Sequence, residues 1–275
     1  MTLTSTRFLS LFGTAAALAM FPATTSSATD VTMTFDADNF DEPLVIDNQY
    51  FPLVPGTTFL YKAETEDGCE WSQVTVTSDT KDITIGTDTL TVRVVEDFEY
   101  EDEDCGGIDP DELVEKTFDW YGQDDFGNIW YFGEDTQNCE GADNCEPGSG
   151  AWEAGVDGAL PGIIMLADPD AGERYRQELA EGVAEDWAMV MNLNAHPELR
   201  LDDALPPGEW DDCLVTKEWN GLEGGSIEQK TYCPEAGGLV LVEEHGGKLV
   251  RFELVEGSAT AAGADAFTFR VPPKD

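Results

Sequence analysis

Along most of this chain, apolar and polar residues alternate with a period of two. Residues 71–77 show it plainly: Trp71, Gln73 and Thr75 alternate with Ser72, Val74 and Val76. That period is a strand's, because successive side chains leave opposite faces. Runs rich in β-branched residues follow at 82–85 and 89–99, divided by Gly86-Thr87-Asp88. Four more such runs, at 213–219, 227–233, 238–245 and 249–256, are separated by turns at Gly224-Gly225, 235–237 and Gly246-Gly247. Segments 173–179 and 187–193 have residues a helix would accept, but Gly182 between them favours two strands and a turn. In that pair, Arg174, Arg176 and Glu178 are expected on one face, and Tyr175, Gln177 and Leu179 on the other.

Two aromatic runs mark the stretch 113–135. In it, Trp120 and Tyr121 precede the turn residues Asp124-Asp125-Phe126-Gly127, and Trp130 and Tyr131 follow them. This predicts a hairpin. If Gln123 and Asn128 close the loop, Trp120 lies opposite Tyr131 and Tyr121 opposite Trp130. Adjacent aromatics point to opposite faces, so both faces need cover, which a two-stranded ribbon in water lacks. One face is expected on a core and the other under a loop or in a cavity.

About a dozen strands and no firm helix predict an all-β, antiparallel domain. A barrel or strongly curled sheet, lipocalin-like or lipoprotein-carrier-like, is the first expectation and a sandwich the second. The chain divides into a signal peptide (1–28), an extended N-terminal arm (29–48) anchored by Phe35, Phe40, Leu44 and Ile46, one antiparallel β domain (49–257), and a linker and tail (258–275). The leader reads from Arg7, the apolar run 8–21 and the small residues Ser26-Ser27-Ala28. It directs the chain out of the cytoplasm, to the periplasm or the medium. No later stretch is long and apolar enough to span a bilayer, so no membrane insertion is expected.

Segment 119–136, DWYGQDDFGNIWYFGEDT, resembles the signature of an uncharacterised family of secreted bacterial β-rich proteins. NQYFPLVPGTTFLY (48–61), GAWEAGVDGALPGIIMLAD (150–168), YRQE (175–178), AED (184–186) and VTKEW (215–219) extend the resemblance in order. It implies an exported β-rich protein and brings no established activity or cofactor. The cysteines and the acidity depart from the family's pattern.

Charge narrows the partners. Fifty-seven acidic and 14 basic residues give −43, and loss of Arg7 with the leader gives −43 − 1 = −44. Nucleic acid and anionic lipid are repelled, while cations and cationic partners are attracted. The bland reading is a solvated acidic surface suited to salty surroundings. Residues 99–104, five acids around Tyr100, are expected as a solvated loop or hairpin tip. Six cysteines in an exported chain imply disulfides, with fifteen pairings possible. Pairing sequence neighbours gives Cys69–Cys105, Cys139–Cys145 and Cys213–Cys233. A zinc site would want closer spacing and reducing surroundings.

Several chemistries lack their residues. The two histidines, His196 and His245, sit in loop-like contexts, and no G-x-S-x-G, H-E-x-x-H, P-loop or G-x-G-x-x-G motif occurs. Two readings remain. The first is a binding or structural module, with no required cofactor, whose cavity is lined by Trp120, Tyr121, Trp130, Tyr131, Arg176 and Glu178 and takes a small molecule or a cation. The second is a hydrolase or lyase using carboxylates near Asp119, Asp157, Glu178, Glu185 and Asp186, with Ca²⁺ as a helper. Asp124, Asp125 and Asn128 are the candidate Ca²⁺ ligands, although their order is not that of an EF-hand loop.

Overall fold

The computed structural model describes residues 28–205, 210–222, 227–245, 249–258 and 268–269. The leader, the turns at Gly224-Gly225 and Gly246-Gly247 and most of the C-terminal linker lie outside them. The described residues form seventeen strands in one mixed sheet, three short 3₁₀ turns and no α-helix. The strands are β1 (Thr29–Asp30), β2 (Thr58–Glu64), β3 (Cys69–Ile85), β4 (Asp88–Asp102), β5 (Leu113–Gln123), β6 (Ile129–Cys139), β7 (Cys145–Pro147), β8 (Trp152–Glu153) and β9 (Leu160–Met165). They continue with β10 (Glu173–Arg176), β11 (Glu178–Leu179), β12 (Asp186–Ala195), β13 (Cys213–Asn220), β14 (Glu228–Cys233), β15 (Gly238–His245), β16 (Leu249–Ser258) and β17 (Thr268–Phe269).

Neighbours in sequence pair antiparallel from β2 to β6. One end of β6 then pairs with β9, and the other end with β7 and β8. β9 pairs with β11, β10 pairs with β12, and neighbours pair again from β12 to β16. β16 lies against β2. The ladder is mixed rather than purely antiparallel, because β1 runs parallel to β10.

Two expectations for the strands change. Segments 71–77 and 82–85 form one strand, β3, with a register shift between Val76 and Thr80. The acidic run 99–104 is strand as far as Asp102. Tyr100 carries it inward, buried with Trp71, Leu113 and the Cys69 and Cys139 sulfurs, and that burial outweighs the preference of its acidic neighbours for a loop.

The central hairpin is β5–β6, and its register differs from the expected one. Tyr121 faces Tyr131 and Gly122 faces Trp130, because Asn128 belongs to the loop. The loop is organised by Asp124, whose buried carboxylate accepts from the backbone N–H groups of Phe126 and Asn128, Asn128 Nδ2 and Trp130 Nε1 at 2.8–3.0 Å. Trp130 and Phe132 fill one face against Phe35 and Phe40 of the N-terminal arm. Asn48 Nδ2 fastens the arm by donating to the carbonyls of Gly127 and Leu166. The other face carries Tyr121 and Tyr131. Trp120 lies under the Lys81 ammonium, 4.1 Å from the ring centre.

Three disulfides join the expected pairs: Cys69–Cys105, Cys139–Cys145 and Cys213–Cys233. No helix of the described residues is long and apolar enough to cross a membrane.

Candidate functional site

A local irregularity builds the inner wall. Between Asp119 and Tyr121 the β5–β6 register slips, so that Asp119 lies opposite Glu134 and Tyr121 opposite Tyr131. One extra residue on β6 turns Tyr131 and Glu134, three apart in sequence, to the same side. Gly133 permits it. Its φ is +127°, and a Cβ there would sit 2.1 Å from the Trp152 carbonyl oxygen. The Tyr131 hydroxyl contacts Asp119 Oδ1 and Glu134 Oε2, each at 2.6 Å. The Tyr131 and Tyr121 rings stack at 4.9 Å.

A second irregularity builds the opposite wall. The strand through 173–179 changes partner at Gln177, which separates β10 from β11. Arg176 stays outside, its guanidinium 4.6 Å from the Trp187 ring and 3.6 Å from Glu185. Glu178 turns inward beside Gln177, so Arg176 and Glu178 do not share the expected face. β9 passes so close that a Cβ on Gly162 would sit 2.2 Å from the Gln177 carbonyl oxygen.

Between these walls lies a cavity of about 530 Å³. Strands from both halves of the ladder line it. β4 supplies Asp97 and Glu99; β5 supplies Glu115, Thr117, Asp119 and Tyr121; β6 supplies Tyr131, Glu134 and Thr136. Gln177, Glu178, Asp186, Glu218, Glu228 and Lys230 add to it, with Ser149, Ile164, Trp219 and Asn220 completing the lining. Nine carboxyl groups thus face one ammonium. Lys230 is matched to the far wall, 2.9 Å from Glu218 and 3.4 Å from Glu228. A smaller pocket of about 140 Å³, lined by Phe51, Leu53, Val76 and Leu239, shares Asp97, Asp119, Tyr121, Ile164 and Lys230 with the larger one.

Crowding and burial raise the proton affinity of these carboxyls. Burial, then the neighbouring Glu134, pushes Asp119 well above the usual carboxylate range against the opposing hydrogen bond from Tyr131. Burial, followed by Asp186 and Glu134, raises Glu178 to about 8. Glu99 is raised to about 8 by desolvation first and then by Asp97 and Glu115. Asp97, Glu134 and Asp186 shift upward too, desolvation being the main cause of each. For Lys230 desolvation works the other way, but Glu218 and Glu228 outweigh it and hold the ammonium charged.

Of the six residues expected to bind ligand, Tyr121, Tyr131 and Glu178 come together in the cavity; Trp120, Trp130 and Arg176 do not. Of the five acids expected near a catalytic centre, Asp119, Glu178 and Asp186 line it. Asp157 sits in a turn at φ +50°, and Glu185 accepts from the Gly182 N–H and pairs with Arg176. The expected Ca²⁺ ligands make hydrogen bonds in and beside their own loop. Asp124 and Asn128 bond each other and the loop, Asn128 Oδ1 accepts from the Ala167 N–H, and Asp125 Oδ1 accepts from the Asp41 N–H. No three Asp, Glu, His or Cys side chains among the described residues are placed to hold a metal ion.

Sequence reasoning missed Asp97, Glu99, Glu115, Glu134, Gln177, Glu218, Glu228 and Lys230 as lining. Their signal was alternation: Asp97 and Glu99, Thr117 and Asp119, and Glu228 and Lys230 stand two apart on strands. In so acidic a chain, that alternation also describes a wet outer face. Compared with known proteins, the chain matches no family model, no curated protein and no solved structure.

Proposed function

We propose that this chain is an exported binding module that holds a small polar ligand inside its curled sheet. One observation carries the reading. A cavity of about 530 Å³ is walled by carboxyl groups that have no cation beside them, apart from those matched to Lys230. Burying such groups costs stability, and a concave site with several shifted titrating groups is where binding is expected. The return of the ladder from β16 to β2 supports a strongly curled, lipocalin-like sheet, although the strands do not close into a barrel. The three disulfides and the leader-like residues 1–28 support a periplasmic or extracellular location. The family-like segment 119–136 supplies Asp119, Tyr121, Tyr131, Glu134 and Thr136 to the cavity, so its signature reads as that of a ligand site.

A thermal-shift screen of small cationic, neutral and anionic compounds tests the proposal. Compounds that stabilise the wild type are expected to lose at least tenfold in affinity for an Asp119→Asn/Glu178→Gln double variant. A wild type stabilised by no class of compound contradicts it.

A second reading, a carboxylate-based hydrolase or lyase, draws on the meeting of Asp119, Glu178 and Asp186. The Tyr131 hydroxyl stands between Asp119 and Glu134, so that pair cannot flank a scissile bond. Chemical turnover of a bound compound, abolished in Glu178→Gln, would establish this reading over the first.

A further inference from the structure

Two residues of the cavity lining, one in the break between β10 and β11 and one at the start of β12, each carry a buried polar atom with no partner of its own. Gln177 is 3 % exposed and lines the cavity, and its amide Nε2 makes no hydrogen bond. Asp186 Oδ1 is likewise buried and unbonded. The two residues are held side by side, because the Gln177 backbone N–H donates to the Asp186 carbonyl at 2.8 Å. One is a donor lacking an acceptor, and the other an acceptor lacking a donor. A buried group left in that condition costs about 1–3 kcal/mol. Around them, Glu134 and Glu178 complete an arc of carboxyls; among the described residues none of the three acids forms an ion pair, and the Lys230 ammonium acts on Glu178 and Asp186 only through space.

We propose that the cavity's ligand is a small hydroxylated organic amine, an amino alcohol or amino sugar, with its ammonium at Asp186, Glu178 and Glu134 and a hydroxyl oxygen on Gln177 Nε2. This rests on the binding-module reading above and names its ligand class. The carboxyls are spread round the wall rather than gathered at one point, which suits a multi-point organic cation better than a bare metal ion. A plain polyamine satisfies the acids and leaves Gln177 without an acceptor. A neutral sugar satisfies Gln177 and leaves the arc without a counter-charge. The stacked Tyr121–Tyr131 pair offers an apolar flank to the ligand's carbon skeleton.

Isothermal titration of the intact protein tests this with glucosamine as the probe. N-acetylglucosamine, which lacks the charge, and cyclohexylamine, which lacks the hydroxyls, serve as comparators. Glucosamine is expected to bind one to one and at least tenfold tighter than either. Asp186→Asn is expected to weaken glucosamine about tenfold. Gln177→Ala is expected to narrow the gap between glucosamine and cyclohexylamine, which loss of structure alone would not do. Phe126→Ala, an exposed side chain of the β5–β6 loop outside the cavity lining, is expected to leave all three affinities unchanged. Equal binding of N-acetylglucosamine overturns the need for charge, and equal binding of cyclohexylamine overturns the role of Gln177. Displacement of glucosamine by stoichiometric Ca²⁺ overturns the organic amine in favour of a hard cation. If no amine binds while another compound stabilises the wild type but not Asp119→Asn/Glu178→Gln, the ligand class is wrong and the binding module stands. If nothing binds at all, both fail.

Discussion

Asp119 shows what the cavity costs. It is 8 % exposed, bonded to Tyr131 and crowded by Glu134. Asp119→Asn keeps an acceptor for the phenol and removes a charge, so the unliganded protein is expected to gain about 0.5–2 kcal/mol while losing affinity for ligand. Urea denaturation at neutral pH measures the gain. The pH dependence follows from the same groups. The folded state raises the proton affinity of Asp119, Glu178 and Glu99 above that of the unfolded chain. The stability linked to those protons is complete below the unfolded value near 4 and is lost as pH rises through the folded values, about 8 for Glu178 and Glu99. The melting temperature of the unliganded protein is therefore expected to fall between pH 5 and pH 9. Glu178→Gln should flatten that fall, and an unchanged slope would mean that Glu178 does not hold its proton. Gly133 governs the geometry. Gly133→Ala forces a Cβ against the Trp152 carbonyl at positive φ, with an expected loss on the order of 2–4 kcal/mol on denaturation.

At the scale of elements, the hairpin β5–β6 was legible and its register was not. The aromatic runs and turn residues announced two strands with both faces covered, and the arm and the cavity supply those covers. The slip of one position came from Asp124, whose carboxylate gathers four N–H groups and draws Asn128 into the loop. A turn motif says that a loop forms, not how many residues its side chains recruit. Asp124→Ala strands those donors, Trp130 Nε1 among them. It is expected to cost on the order of 3 kcal/mol and to free the end of the arm to limited proteolysis. The isolated Gly133 was a visible sign of a bulge, but its consequence, Tyr131 and Glu134 on one face, requires the partner strand. Gln177 gave no signal, because its role comes from a change of partner between β12 and β9. The disulfides were readable because each joins sequence neighbours across a hairpin or loop. Opening Cys213–Cys233 is expected to cost about 3 kcal/mol on the loop-entropy account, measurable by denaturation of the double Ser variant.

Over the whole molecule, charge and fold answer to one another. The −43 balance predicted an acidic exterior, and much of it is exterior. The sheet also turns a share of the acids inward, and no count of residues separates the two populations. The all-β class was plain from the period of two. The architecture within that class was not, because a run of antiparallel pairings is compatible with sandwiches, barrels and curled sheets alike. Added salt is expected to stabilise the protein by screening repulsion among the outer acids, because the Debye length shortens from about 10 Å at 0.1 M to about 3 Å at 1 M. The inner acids are shielded less by salt.

Native mass spectrometry of the exported protein, purified without denaturation, tests the central claim most directly. The account predicts a stoichiometric organic adduct on the oxidised chain, absent from Asp119→Asn/Glu178→Gln prepared in the same way. A bare wild-type mass, or an adduct that the double variant retains, would contradict a ligand held among these carboxyls.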